Sequence, residues 1–82
     1  MNEQEMKIAI ERVVGNTRYS SWTIGITDDP DRRRSEHNNP THWHQWRADT
    51  ETIARNVEKY FLDKGMKGDA GGGISPNYVY IF

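Results

Sequence analysis

Two segments of the sequence have the β-branched and aromatic residues typical of strands: residues 19–27 and the stretch "NYVYIF" at 77–82. About 50 residues lie between them, which excludes a tight hairpin because such hairpins are closed by only a few residues. Helical patterns fill much of that interval. We therefore predict an α+β fold, in which the two segments pair within a small antiparallel sheet flanked by helices. The length of 82 residues suits one domain, residues 1–82.

Helical patterns occupy two segments in the first half of the chain. In residues 2–14, Asn2 and Glu5 have the spacing of a capping box, and apolar residues follow at helical intervals. The same residues also alternate, so a strand is the competing interpretation; we favour the helix. Residues 30–37 predict a short helix, with Asp29 or the aspartate before it as the cap and proline at the first position.

A longer helix is predicted to start at or just before Thr50 and to run to Lys64, with Gly65 as its stop signal. Residues 38–48, "NNPTHWHQWRA", are predicted to be a loop because turn-forming residues are frequent there. The stretch "GDAGGG", residues 68–73, is predicted to be a flexible loop. Gly25, inside the first strand-like segment, is predicted to be a point of close approach.

Composition narrows the setting and the partners. The chain has no cysteine, which excludes disulfides and thiolate zinc sites and favours a cytoplasmic location. No apolar run is long enough to span a membrane, so we expect no membrane association. The formal net charge of −1 provides no overall field to attract nucleic acid, although a local basic patch remains compatible with it.

Arg33 and His37 are four residues apart on the predicted short helix and therefore share a face. The planar guanidinium of Arg33 is suited to holding a phosphate with two parallel hydrogen bonds. The competing interpretation is a solvated helix face of mixed charge, which the spacing alone favours.

Glu58 flanks the apolar stripe of the long helix, where a carboxylate is costly unless it is paired or bound to a cation. Two interpretations are open: an ion pair with one of the arginines, or a ligand for Mg²⁺, which takes hard oxygen donors. Trp43 and Trp46 are predicted to pack as a lid within their loop, where they offer a surface for a protein partner or for stacked bases.

The segment "TIGITDDPDRRRSEH" resembles the second motif of GIY-YIG nuclease domains, in which a strand bearing Tyr-Ile-Gly runs into a helix bearing arginine. Small stand-alone members carry strings such as "YTGITNDLERRLAQH". The stretch "DTETIARNVEKYF" is similar to the family helix that holds a single metal-binding glutamate, and Glu58 is the matching position.

The first motif of that family, a strand ending in Ile-Tyr, is not found ahead of the second motif. Instead "NYVYIF" resembles the first motif as small members write it, "YYVYIL". We hypothesise a circularly permuted GIY-YIG-like domain, in which Tyr80 corresponds to the tyrosine of the first motif. The alternative makes this segment the ordinary third strand, with residues 2–14 replacing the first strand.

The resemblance implies an endonuclease that hydrolyses a DNA strand with Mg²⁺ or Mn²⁺. It places Glu58 on the metal, Arg33 on the scissile phosphate, His37 as a supporting acid, base or phosphate contact, and Tyr80 near the attacking water. The second-motif tyrosine is replaced by Thr23, which departs from the family pattern. A catalytically inactive module that binds nucleic acid or protein is therefore the alternative function, and a purely structural domain is a third.

Overall fold

The computed structural model describes residues 1–69 and 73–82 and confirms the α+β class. Three α-helices and four strands follow one another in the order α1 (Glu3–Val14), β1 (Thr23–Thr27), α2 (Pro30–Glu36), β2 (His44–Arg47), α3 (Glu51–Lys64), β3 (Lys67–Gly68) and β4 (Tyr78–Ile81).

The four strands form one sheet in the order β2-β4-β1-β3. β4 is antiparallel to β1, as predicted for the two segments recognised in the sequence, and it is also antiparallel to β2. β3 is parallel to β1, so the sheet is mixed, and the predicted antiparallel arrangement is wrong for β3. The physical reason is that α2, β2 and α3 lie between β1 and β3 in the chain, which is the long crossover that parallel neighbours need.

Local capping chemistry explains where the helices begin. Residues 2–14 form a helix rather than a strand: the Asn2 side chain accepts a hydrogen bond from the backbone N–H of Glu5, and the Glu5 carboxylate accepts one from the backbone N–H of Asn2. The alternative that substituted this segment for the family's first strand is therefore wrong. In α2 the Asp29 side chain caps the helix and Pro30 occupies its first position, both as predicted.

The prediction for α3 is also confirmed at both ends. The Thr50 hydroxyl accepts a hydrogen bond from the backbone N–H of Ile53. Gly65 ends the helix with a φ of 116°, a backbone conformation that side chains other than glycine's disfavour. Met66 then returns to the core, where it is buried against the helix that it follows.

Two predictions of local structure need correction. The strand predicted from residue 19 begins only at Thr23, because Tyr19–Ser21 form a short 3₁₀ turn and the Tyr19 hydroxyl is tied to Glu11 of α1. Within the predicted loop 38–48, residues 44–47 form β2, because their backbone pairs with β4 along its whole length. Of the predicted flexible loop 68–73, residues 70–72 lie outside the described residues.

The two faces of the sheet have different coverings. One face packs against α1 and α3, and it contributes the buried strand residues Ile24, Ile26, Val79 and Ile81 to the hydrophobic core. Gly25 and Tyr80 alternate with these residues and so lie on the opposite face, next to α2 and to the segment that leads into β2. None of the helices in the described part of the chain is both long and apolar enough to span a membrane.

Trp43 and Trp46 do not form a shared surface, so the predicted tryptophan lid is wrong. Trp46 pairs with Val79 across the sheet and packs against the core. Trp43 is buried on the other side, stacked on Tyr80. Trp43 directly precedes β2 and Trp46 lies within it; an odd separation of three residues puts side chains on opposite sides of an extended chain.

Candidate functional site

The candidate site lies on the sheet face that α1 and α3 leave uncovered, and it is organised by a close approach between two strands. Gly25 in β1 is directly opposite Tyr80 in β4. The phenol ring of Tyr80 lies against the α-carbon of Gly25, so that a β-carbon added at Gly25 would overlap the end of the ring. The glycine predicted as a point of close approach therefore lets the tyrosine lie across β1 toward β3.

Three side chains converge on a single carboxylate oxygen, Oδ2 of Asp69, which follows β3 directly. Arg33 Nη2 donates to it at 2.6 Å, and His37 Nε2 lies 2.8 Å from it. The Tyr80 hydroxyl donates to the same oxygen. Arg33, His37 and Tyr80, three of the four site residues predicted from the sequence, are thus brought together. Glu58 is not part of this cluster. Asp69, which the sequence did not predict as a site residue, lies at its centre.

Burial distinguishes Arg33 from its neighbour on α2. The side chain of Arg33 is 16% exposed, whereas that of Arg32 is 48% exposed and pairs with Asp28 at the surface. The interpretation of α2 as a solvated face of mixed charge is therefore right for Arg32 and wrong for Arg33. Arg33 also donates from Nη1 to Glu36 at 2.8 Å.

The pKa shifts follow from this hydrogen bonding. Hydrogen bonds with Tyr80 and Asp69 raise the pKa of Arg33 above its ordinary value, so the guanidinium stays charged. Burial acts to raise the pKa of Asp69, but the hydrogen bonds from Tyr80, Arg33 and His37 outweigh it and lower the pKa. Asp69 is therefore an anion at neutral pH, and Arg33 and Asp69 cancel each other's charge.

Tyr80 is held as a neutral phenol. Its side chain is almost completely buried, and burial raises the pKa of its hydroxyl; the hydrogen bond to Asp69 raises this pKa further. A hydroxyl in this setting donates a hydrogen bond and resists deprotonation. Its role in the site is therefore that of a fixed donor rather than that of a base.

Stacked aromatic rings hold the side chains of Tyr80 and His37 in place. The rings of Trp43 and Tyr80 are 4.5 Å apart with an interplanar angle of 12°, and Trp43 also stacks on Phe82 at 5.4 Å. The imidazole of His37 lies 4.6 Å from the Phe82 ring. Buried rings of this size leave little rotational freedom, so Tyr80 and His37 are held in position before any ligand arrives.

Glu58 projects from α3 and is half-buried. Burial raises the pKa of Glu58; Arg55 opposes that rise, and the negative charge of Asp69 adds to it. No hydrogen bond or ion pair joins Glu58 to another side chain within residues 1–69 and 73–82, and Arg55 itself is paired with Glu51. The predicted alternative, an ion pair between Glu58 and an arginine, is therefore not seen in that part of the chain.

The donor set near Glu58 fits one kind of metal binding. Nowhere in the described residues do three or more histidine, cysteine or acidic side chains form a group able to enclose a metal ion. A half-buried carboxylate whose charge is unfavourable, with Asp69 as a second negative charge nearby, fits a hard cation that keeps most of its water. Mg²⁺ and Mn²⁺ are cations of this type.

The sequence gives little indication that Asp69 belongs to the site. It is 36 residues from Arg33 and 11 from Tyr80, and it is the one acidic residue in a glycine-rich stretch. An acidic residue there reads as an ordinary turn former. Only the pairing of β3 with β1, through the backbone N–H of Asp69 and the carbonyl of Ile24, brings it to the site.

Chemically, the arrangement is a set of hydrogen-bond donors around an oxyanion. A guanidinium, a phenol and an imidazole nitrogen that point at one oxygen suit a carboxylate or a phosphate equally well. Comparisons of the chain with protein-family models, with curated proteins and with solved structures found no match.

Proposed function

We propose that this domain is a Mg²⁺-dependent hydrolase of DNA phosphodiesters, built on a circularly permuted GIY-YIG-like arrangement. The observation that carries the proposal is the convergence of Arg33, His37 and Tyr80 on one anionic oxygen. Those residues lie in segments that resemble the family motifs. Support for the permutation comes from β4, which lies beside β1 and is antiparallel to it, while residues 2–14 are helical.

In the proposed mechanism Arg33 binds the scissile phosphate. Its guanidinium remains charged and is largely buried, so its attraction for the charge that develops on phosphorus-bound oxygens is weakly screened. Glu36 holds Nη1 from the side and thereby limits rotation of the guanidinium plane.

Tyr80 and His37 position the other participants. Because the pKa of Tyr80 is raised, its hydroxyl acts as a donor to a phosphate oxygen or to the attacking water. His37 has one ring nitrogen directed at the anion, where it serves as a phosphate contact or delivers a proton to the leaving oxygen. Neither role requires Tyr80 to lose its proton.

Glu58 would hold the cation, because its half-buried carboxylate is disfavoured as an unpaired anion. A bound Mg²⁺ supplies positive charge that stabilises the phosphate and the leaving oxygen. The contribution of Glu58 itself is a half-buried carboxylate whose pKa is raised by burial and by the negative charge of Asp69.

A specific observation favours the second candidate function, an inactive module that binds nucleic acid or protein. Thr23 occupies the position of the second-motif tyrosine, at the start of β1 and two residues before Gly25. Its short aliphatic hydroxyl is a poor substitute for a phenol in orienting water. The loss of that group would leave the phosphate contacts in place without an efficient nucleophile.

Amide NMR titrations test the two candidates. Wild type is titrated with Mg²⁺ and then with a short DNA duplex, alongside Glu58→Gln and a control, Asp63→Asn, that removes a negative charge from an exposed position on the same helix. The proposal expects shifts at Arg33, His37 and Tyr80 that depend on Mg²⁺, persist in the control and disappear in Glu58→Gln.

Cleavage of supercoiled plasmid, followed with the same proteins, separates a hydrolase from a binding module. Metal-dependent nicking that is lost in Glu58→Gln and in Arg33→Ala, and kept in Arg12→Ala on α1, supports the hydrolase. DNA-induced shifts without nicking support the inactive module. If millimolar Mg²⁺ and DNA leave the spectrum unchanged, both nucleic-acid functions are wrong.

A further inference from the structure

We propose that Asp69 is a built-in inhibitor of the anion site: its carboxylate occupies the place that a phosphate oxygen of the ligand takes. This inference rests on the proposed phosphate-binding function of Arg33, His37 and Tyr80, and it concerns how that site is regulated. The resident anion must leave before a phosphate can enter.

The first argument is stereochemical. A single oxygen of Asp69 accepts from Arg33 and Tyr80 and lies 2.8 Å from His37 Nε2. These are the groups that would otherwise surround a phosphate oxygen, since carboxylate and phosphate oxygens accept the same charge-assisted hydrogen bonds. While Asp69 is in place, its carboxylate occupies the hydrogen-bond donors that a phosphate would need.

The second argument concerns charge. Arg33 carries one positive charge, and Asp69 and Glu36, both within 2.8 Å of its nitrogens, carry one negative charge each. The site as it stands therefore has no excess positive charge with which to attract a phosphate. Displacement of the Asp69 carboxylate would remove one of the two negative charges beside Arg33 and so reduce the repulsion that an incoming phosphate meets.

The third argument is that displacement requires only a side-chain movement. The backbone N–H of Asp69 donates to the Ile24 carbonyl at 3.0 Å, which continues the pairing of β3 with β1. The side chain is 15% exposed, so it already reaches the surface. Rotation about its Cα–Cβ bond would free the three donors while the sheet stays intact.

Inorganic phosphate is the probe, because it competes with a carboxylate and carries no base or sugar. Its affinity is measured by amide shifts at Arg33, His37 and Tyr80 in wild type, Asp69→Ala, Asp69→Asn and the control Asp63→Asn, which changes the net charge equally. We expect both Asp69 variants to bind phosphate about tenfold more tightly than wild type, which corresponds to a wild-type site that Asp69 leaves open about a tenth of the time. The control should match wild type.

A second readout follows the inhibitor itself. In wild type, saturating phosphate should move the side-chain carboxyl ¹³C resonance of Asp69, while that of Asp63 stays fixed. A merely structural carboxylate would not respond. The inference is overturned if phosphate binds with the Asp69 resonance unmoved, or if folded Asp69→Asn binds phosphate no more tightly than wild type. The near-isosteric Asn variant keeps this test usable where Asp69→Ala fails to fold.

Failure of the inhibition and failure of the proposed hydrolase give different results. Tighter phosphate binding in the Asp69 variants without DNA nicking by any protein leaves the inhibition standing and rejects the hydrolase. Nicking by wild type, at a rate and a KM for DNA that Asp69→Asn does not change, rejects the inhibition and leaves the hydrolase standing.

Discussion

Tyr80 reaches the carboxylate of Asp69 only because Gly25, its partner across the β1–β4 pair, has no side chain. The hydrogen bond between Tyr80 and Asp69 therefore depends on the absence of a β-carbon at residue 25.

Gly25→Ala is expected to destabilise the fold by about 1–3 kcal/mol, the usual cost of forcing extra volume into a packed site. The Tyr80 ring cannot move aside cheaply, because it is buried and stacked on Trp43. Chemical unfolding measures the change. In a Tyr80→Ala background the same substitution should cost much less; an equal cost in both backgrounds would show that the clash lies elsewhere.

Tyr80→Phe is expected to raise the pKa of Asp69. The hydrogen bonds from Tyr80, Arg33 and His37 offset the effect of burial on this carboxyl, and the variant removes one of them while the burial remains. The loss of a hydrogen bond to a charged group should also lower stability by about 1.5–3 kcal/mol. Carboxyl ¹³C titration reads the pKa directly, with Tyr78→Phe, at the half-buried start of β4, as the matched control.

Glu58→Gln is expected to stabilise the metal-free protein at neutral pH. Burial raises the pKa of Glu58 above its ordinary value of 4.5, so the ionised form is less favourable in the folded state than in the unfolded state. The stability of wild type relative to Glu58→Gln should therefore fall as the pH rises from 4.5 through the folded-state pKa of Glu58, while the other carboxyl groups titrate alike in both proteins. Melting temperatures at about pH 4 and about pH 7 test this; a variant less stable than wild type at neutral pH would contradict the prediction.

Trp43→Ala and Trp46→Ala are expected to differ in their effects on stability and on the site, because the two rings lie on opposite faces of the sheet. Trp43→Ala removes the support under Tyr80 and should cost about 3–5 kcal/mol, as is usual for a buried tryptophan. Trp46 is half-buried, so its loss should cost less and leave the amide shifts of Arg33, His37 and Tyr80 near their wild-type positions. Similar disturbance of the site by both variants would contradict the assignment of the faces.

The features that sequence reasoning predicted are those with local causes. Helix starts and stops follow from cap residues a few positions away, so Asn2, Asp29, Thr50 and Gly65 indicated the helix boundaries within about two residues. The close approach at Gly25 was predictable in the same way, because a glycine inside a strand often marks a place where a neighbouring group comes close to the backbone.

The features that were missed have distant causes. β2 has the sequence His-Gln-Trp-Arg, with no β-branched residue, and is a strand because β4 pairs with it. β3 has only two residues, Lys67 and Gly68, which are too few to carry any pattern. Asp69 joins the site through that same short strand, so its neighbours in the sequence gave no indication of its role.

The central position of β4 has a consequence for biosynthesis. Translation produces β1, β2 and β3 before β4, yet β2 and β1 are not neighbours and each is paired to the strand that emerges after them. Before β4 is made, β2 has no partner among the described strands and β1 can pair only with the two-residue β3, so both strands lack the partner that covers their edges in the folded sheet. The slow step of folding should therefore be the pairing of β4 with β2 and β1. This step should follow the synthesis of β4.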